Sequence, residues 1–346
     1  MSQEEEEKKQ DTQVESQTSQ EKQRNFLRKQ HEEYLLSLEK SKDLDSIGYY
    51  LTEHLRIGGA YWSLNALACL GIKLPQEKVD KLVKWILSCQ NEDGGFGGNT
   101  QHDSHITSTH YAILTLIIFE ELNKVDIDKV VGYIKSLQKE DGSFMGDTWG
   151  EVDTRFSYCA LSSLALFNRL NEINVQKAAE YVLRCRNFDG AFGGSPDAES
   201  HGAYIFTGVG ALTIAGYLDA FDKDQLGFWL SERQTSKGGF NGRPEKLADV
   251  CYSWWIYSSF RMIQRVNWID CQGLENFILD CQDSEGGIAD RPENCVDVFH
   301  TFFGIAALSL LNQQKYDLVP IDPTFALPKP LLLKNFPHLS HIVNTL

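Results

Sequence analysis

The chain has 346 residues, 42% of them hydrophobic, and a formal net charge of −15. That apolar fraction is ample for a large core. The negative charge argues against broad binding to nucleic acid or to an anionic membrane, because both need a basic footprint, although a local basic patch would still steer a small anion to one spot.

The eight cysteines include no Cys-x-x-Cys pair, and the N-terminus is polar and acidic, without a secretory signal. Reduced thiols in a cytoplasmic protein are therefore expected. The longest apolar run, 111–119, is far short of the roughly 20 residues a membrane span needs. The chain finishes Asn344-Thr345-Leu346 without a lipidation cysteine, so no stable membrane insertion is expected.

Residues 1–25 are Glu, Gln, Ser, Thr and Lys with hardly an apolar residue. Such a stretch cannot bury enough surface to offset its ordering entropy, which predicts a disordered tail. An apolar period over 26–55 suggests one or two lead-in helices, and residues 26–346 read as one domain.

A repeat dominates that domain. Its turns are Asp93-Gly94-Gly95-Phe96, Asp141-Gly142-Ser143-Phe144, Asp189-Gly190-Ala191-Phe192, Gly238-Gly239-Phe240 and Gly286-Gly287-Ile288, each 48 residues after the last. Gln90, Gln138, Gln234 and Gln282 keep the same step, with Arg186 the exception. Such periodicity must be read before anything else.

Each period holds two helices. Ahead of the turn, Val79, Leu82, Val83 and Ile86 form a one-sided stripe, and Ile127, Val130, Val131 and Ile134 repeat it. After the turn, stretches such as 156–167, 204–217 and 299–311 are apolar nearly all round, which predicts helices enclosed by others. Residues 58–70 supply a sixth enclosed helix. Six inner helices wrapped by six outer ones make an all-α fold, an α/α toroid.

The alternation makes the inner helices parallel, so all their N-termini and the glycine turns share one rim. Converging N-termini make that rim a seat for an anion. Cys89, Cys185 and Cys281, at matching repeat positions, read as small core residues. From about residue 316 the chain is Pro-rich and aperiodic, which suggests a strap across the surface.

At the rim, positions 105, 153, 201, 249 and 297 are His, Asp, His, Asp and Asp. For the aspartates a helix-capping role is the plain reading. Histidine is a poor cap, so His201 calls for another explanation. Asp249 and Cys251 open one inner helix, and His300 lies at the start of the next. Carboxylate, thiol and imidazole at one height suit Zn²⁺ with a fourth position open, provided Asp249 and Cys251 sit where the backbone is not yet helical.

His201, Arg243, Lys246 and Tyr252 could clamp a phosphate on the same rim. For Lys246 alone, a solvated loop neutralised by Glu245 is the plainer reading. The aromatics Tyr61, Trp62, Phe156, Tyr204, Trp254 and Trp255 are core by default, but a toroid that keeps a central cavity would offer them to a long apolar ligand.

The stretch 138–157, with Trp149-Gly150-Glu151-Val152-Asp153-Thr154-Arg155, the run 242–255, and Phe299-His300-Thr301 together resemble the β subunits of protein prenyltransferases. The likeness covers almost everything beyond the tail and is greatest to the Rab geranylgeranyltransferase (type II) group. It implies zinc on Asp249, Cys251 and His300, with Tyr252 beside them. It also implies isoprenoid diphosphate contacts at His201, Gly202, Arg243, Lys246, Tyr252 and Trp255. A helical-repeat α subunit would be the obligate partner, geranylgeranyl diphosphate the donor, and a Rab GTPase presented by a Rab escort protein the acceptor.

Gly58 matches a position where farnesyl-specific relatives carry a bulky aromatic, whereas His110 departs from the aliphatic residue expected in geranylgeranyl enzymes. Asp290 matches a carboxylate that farnesyltransferases associate with Mg²⁺. A type I or farnesyl β subunit acting on CaaX proteins shares the same zinc chemistry. A terpene cyclase would need an acidic DxDD or DDxxD run, which is not found. A non-catalytic toroid scaffold predicts no bound metal.

Overall fold

The computed structural model describes residues 24–38 and 52–344. The expected disordered tail lies outside these residues except for its last two, of which Arg24 pairs with Asp280 at 2.8 Å.

The inner helices are α2 (Arg56–Cys69), α4 (Ile106–Ile118), α6 (Thr154–Leu166), α8 (Gly202–Ala215), α10 (Val250–Ile263) and α12 (Val298–Tyr316). The outer ones are α1 (Arg28–Ser37), α3 (Gln76–Ser88), α5 (Ile127–Ser136), α7 (Val175–Arg184), α9 (Lys223–Ser231) and α11 (Cys271–Asp280). Each inner helix packs on its neighbours in turn, and α12 returns to α2, which closes the ring. The expected toroid is what forms.

The lead-in segment supplies its sixth outer helix, α1. The joint uses the same bonds as the repeats within. Gln138 accepts from the backbone N–H of Asn174 and donates to its carbonyl, and Gln234 treats Asp270 the same way. Gln282 repeats this on α1, accepting from Leu27 at 2.9 Å and donating to the Asn25 carbonyl at 3.2 Å. Gly286, at φ +99°, backs so closely onto α1 that a Cβ would lie 2.1 Å from the Gln30 carbonyl oxygen. Only glycine fits there.

At the rim the inner helices α4, α6, α8 and α10 are each stitched to the following repeat. The first N–H groups of α4, α6, α8 and α10 donate to the carbonyls of Gly146, Gly194, Gly242 and Asp290, each at 2.8 Å. The next free N–H in each goes to the cap side chain: His105, Asp153, His201 and Asp249 accept from Thr107, Arg155, Ala203 and Cys251. The two histidines cap as the aspartates do, through Nδ1, contrary to the expectation that histidine would not. These helix ends are therefore largely satisfied within the protein, and an anion on the rim must find its donors on side chains.

The segment after α12 is a second departure. Asp322, Thr324, Phe325 and Leu327 are fully buried, so it is no surface strap. It runs across the end of the barrel where the inner helices finish. Val319 donates to the Cys69 carbonyl at 2.8 Å, and Tyr158 reaches the Thr324 carbonyl at 2.6 Å. Two short helices follow, α13 (Lys329–Asn335) and α14 (Ser340–Val343). Cys89, Cys185 and Cys281 are buried as expected, and the eight cysteines are free. No helix among the described residues is long and apolar enough to cross a membrane.

Candidate active site

Asp249 stands just before α10 in an extended conformation, with Cys251 in the first turn. That break in helical geometry lets side chains two residues apart converge. His300 comes from the first turn of α12, the neighbouring inner helix. The ligand atoms of Asp249, Cys251 and His300 all lie within 4.8 Å of one another, and His300 Nε2 is 3.3 Å from Asp249 Oδ1.

The electrostatics suit a cation. Cys251 is buried, and burial first, then the charge of Asp249, push its thiol pKa well above the ordinary value. Such a thiol ionises only when a positive charge joins it. Burial disfavours the His300 imidazolium, yet hydrogen bonds to Asp249 and Asp297 outweigh that and raise its pKa to about 9. Oxygen, sulfur and nitrogen donors on a partly open surface fit Zn²⁺ with one position for an incoming ligand.

Reading Asp297 only as a cap missed its second bond. Its Oδ1 accepts from the His300 backbone at 2.9 Å, while Oδ2 lies 2.6 Å from His300 Nδ1. Asp and His three residues apart at a helix start would have been the clue.

Beside these residues opens a cavity of about 450 Å³ enclosed by the inner helices. Tyr61, Tyr204, Trp254 and Trp255 line it, as expected of an aromatic lining, but Trp62 and Phe156 do not. The side chain two residues after each cap faces inward in Thr107, Arg155, Ala203 and Phe299, the register that Cys251 shares. Arg155, not singled out from sequence, grips Asp153 through two nitrogens at 2.8 and 3.0 Å.

The expected clamp assembles in part. His201 and Tyr252 meet at the cavity, Nε2 to hydroxyl 3.2 Å, and both line it with Trp255. Because Nδ1 of His201 accepts from Ala203, Nε2 carries the proton. Burial and the nearby Arg243 lower the His201 pKa, so the ring donates as a neutral imidazole.

Gly202, Arg243 and Lys246 do not line the cavity. The Gly202 N–H is already given to Gly242, Arg243 pairs with Glu199, and the exposed Lys246 ammonium makes no hydrogen bond or ion pair among the described residues. Gly58 does not line the cavity either, because Trp62 and Tyr111 close over it at 3.4 Å from where a Cβ would stand. His110 does line it, buried and 2.9 Å from the Ser163 hydroxyl. Asp290, the Mg²⁺ candidate, already holds Arg291 and Asn294 on its two oxygens.

A family model described as the prenyltransferase alpha-alpha toroid domain matches residues 26–327. The chain belongs to this family. Within the prenyltransferase toroids it is similar to a probable geranylgeranyl transferase type-2 subunit beta of Dictyostelium discoideum, 52% identical over 98 residues, or 28% of this chain and 27% of that protein. It is also similar to geranylgeranyl transferase type-2 subunit beta 1 of Arabidopsis thaliana, 52% identical over 86 residues, 25% of this chain and 26% of that one. These matched stretches span about a quarter of each relative's length. A solved structure of Candida albicans protein geranylgeranyltransferase-I complexed with GGPP superposes with a TM-score of 0.82 over 92% of this chain and 99% of that chain, at 21% identity. Such a prenyltransferase toroid shares the fold of the present chain.

Proposed function

We propose that this chain is the catalytic β subunit of a zinc-dependent protein geranylgeranyltransferase of type II. It would transfer the lipid of geranylgeranyl diphosphate to C-terminal cysteines of Rab-type GTPases, working with a helical-repeat α subunit and an escort protein that presents the acceptor. The observation that carries this reading is the convergence of Asp249, Cys251 and His300 beside an aromatic cavity.

Asp249, Cys251 and His300 would hold the zinc. Bound there, Zn²⁺ supplies a Lewis acid that lowers the pKa of an acceptor thiol. Tyr61, Tyr204, Trp254 and Trp255 take the isoprenoid and exclude water from it. His201 Nε2–H and the Tyr252 hydroxyl sit where they can donate to the diphosphate as its charge grows. The reaction joins the acceptor sulfur to C1 of the prenyl chain and releases diphosphate. Orientation and preorganised donors are the protein's main contributions.

Metal analysis together with a transfer assay tests this reading. About one zinc per chain and transfer to acceptors ending in unblocked cysteines are expected. Preference for CaaX-ending acceptors would move the chain to the type I or farnesyl class, and the absence of both metal and transfer would leave only a scaffold.

A further inference from the structure

The last glycine turn takes from α1 a hydrogen bond that the first three turns make for themselves. Asp93, Asp141 and Asp189 each accept, through Oδ1, from the N–H two residues on, those of Gly95, Ser143 and Ala191, at 2.9, 3.1 and 3.0 Å. The fifth turn has an exposed Glu285 in that place, and its Gly287 N–H goes instead to Nδ1 of His31 on α1, at 3.0 Å. The other ring nitrogen of His31 lies 2.9 Å from Gln282 Oε1. Because Nδ1 accepts from a backbone N–H, Nε2 carries the proton. Burial of the ring lowers its pKa, against the bond to Gln282, and so favours this neutral form.

We propose that His31, on the lead-in helix, is a positioning residue for the metal site. This rests on reading Asp249, Cys251 and His300 as zinc ligands. The path runs through the turn. Gly287 is buried and backs onto the residue before Asp297, since a Cβ on it would lie 2.8 Å from the Val296 Cβ. Ile288, the next residue, pairs with Asp297 in the two-stranded ladder and gives its N–H to the Thr301 hydroxyl at 2.9 Å. That hydroxyl in turn donates to the Asp297 carbonyl at 2.6 Å. Asp297 and Thr301 lie on either side of His300 in the chain, and Asp297 orients its imidazole. A buried Gly287 N–H without an acceptor costs free energy, so the turn would shift to satisfy it and carry that frame with it. The N-terminal segment thus does more than close the ring, because one of its side chains fixes the frame that holds a ligand.

Two substitutions in the full-length chain separate this role from a merely structural one. In His31→Asn the side-chain oxygen takes the place of Nδ1 and keeps the bond to Gly287. In His31→Gln the amide reaches the place of Nε2 and keeps the bond to Gln282. Each variant gives up one of the two bonds, so urea unfolding should show similar losses of stability for both. Zinc affinity, read by competition against a chromophoric chelator, should instead fall by about threefold or more in His31→Gln and stay within about twofold in His31→Asn. Adding Glu285→Asp to His31→Gln gives the fifth turn the carboxylate that the first three possess, which should return zinc affinity to within about twofold of the unmodified chain. Unchanged affinity in His31→Gln, equal losses in the two single variants, or a loss that Glu285→Asp does not restore would each overturn the role of His31 and leave the metal site standing. If the unmodified chain retains no zinc, the metal reading itself falls.

Discussion

Asp297 and His300, one helical turn apart, form a 2.6 Å bond between Oδ2 and Nδ1, and that bond turns His300 Nε2 toward Asp249. The same carboxylate caps the helix that carries the histidine. One residue thus sets both where the imidazole stands and which nitrogen it offers.

Asp297→Ala should therefore lower zinc affinity by about 10–100-fold, as loss of an outer carboxylate does elsewhere. Competition against a chromophoric chelator measures it directly, without any lipid transfer. Circular dichroism separates the effect from loss of the cap, which should cost about 1 kcal/mol. An unchanged zinc affinity would leave Asp297 as a cap alone.

Cys251→Ala should abolish zinc retention and transfer while leaving helical content intact. The thiol is buried, but alanine fills most of its space and caps nothing, since the cap belongs to Asp249. Normal zinc stoichiometry in this variant would remove Cys251 from the ligand set.

Periodicity made the toroid legible because each glycine turn must meet the next outer helix at one distance, and that constraint repeats with the chain. The convergence of Asp249, Cys251 and His300 was legible for the same reason, as matching repeat register means similar height on neighbouring helices. What could not be read was whatever breaks the period. From about residue 316 the chain reads as a Pro-rich, aperiodic surface strap, yet Asp322 turns inward because the N–H groups of Thr324 and Phe325 satisfy its Oδ1. Gly58 was legible only in part. Its vacancy is visible in sequence, but the two rings that fill it, Trp62 and Tyr111, are known only once the helices pack.

Tyr252→Phe should slow the chemical step by about 100-fold with little change in affinity for the lipid donor, because a hydroxyl aimed at growing charge acts in the transition state. Single-turnover kinetics isolates that step. The phenyl ring retains the packing of Tyr252 against Trp255, 5.5 Å between centroids, so the fold should not change. Equal losses in affinity and rate would instead place the hydroxyl on the ground-state diphosphate.

Arg243 is ion-paired with Glu199. Arg243→Ala should weaken diphosphate binding by about tenfold, and Glu199→Gln should strengthen it by freeing the guanidinium. The two variants shift affinity in opposite directions, which a general disturbance of the loop would not do. If both are silent at physiological salt, the diphosphate is held by His201 and Tyr252 without Arg243.

Asp322 offers a test of the buried turn itself. Burial raises its pKa from 3.8 to about 6, although the backbone N–H groups of Phe325 and Thr324 pull the other way. Between those two values the folded chain holds a proton that the unfolded chain has lost, so this residue makes stability fall as pH rises from about 4 to about 6. Above about 6 both states are ionised and the penalty is complete. Asn in its place keeps an oxygen for the two N–H groups and carries no charge at any pH. The stability of Asp322→Asn relative to the unmodified chain, measured by urea unfolding, should therefore shift in favour of the variant as pH rises through that window and level off beyond it. A difference that stays constant from pH 4 to 8 would mean that water reaches Asp322, and that the end of the barrel is not sealed by this turn.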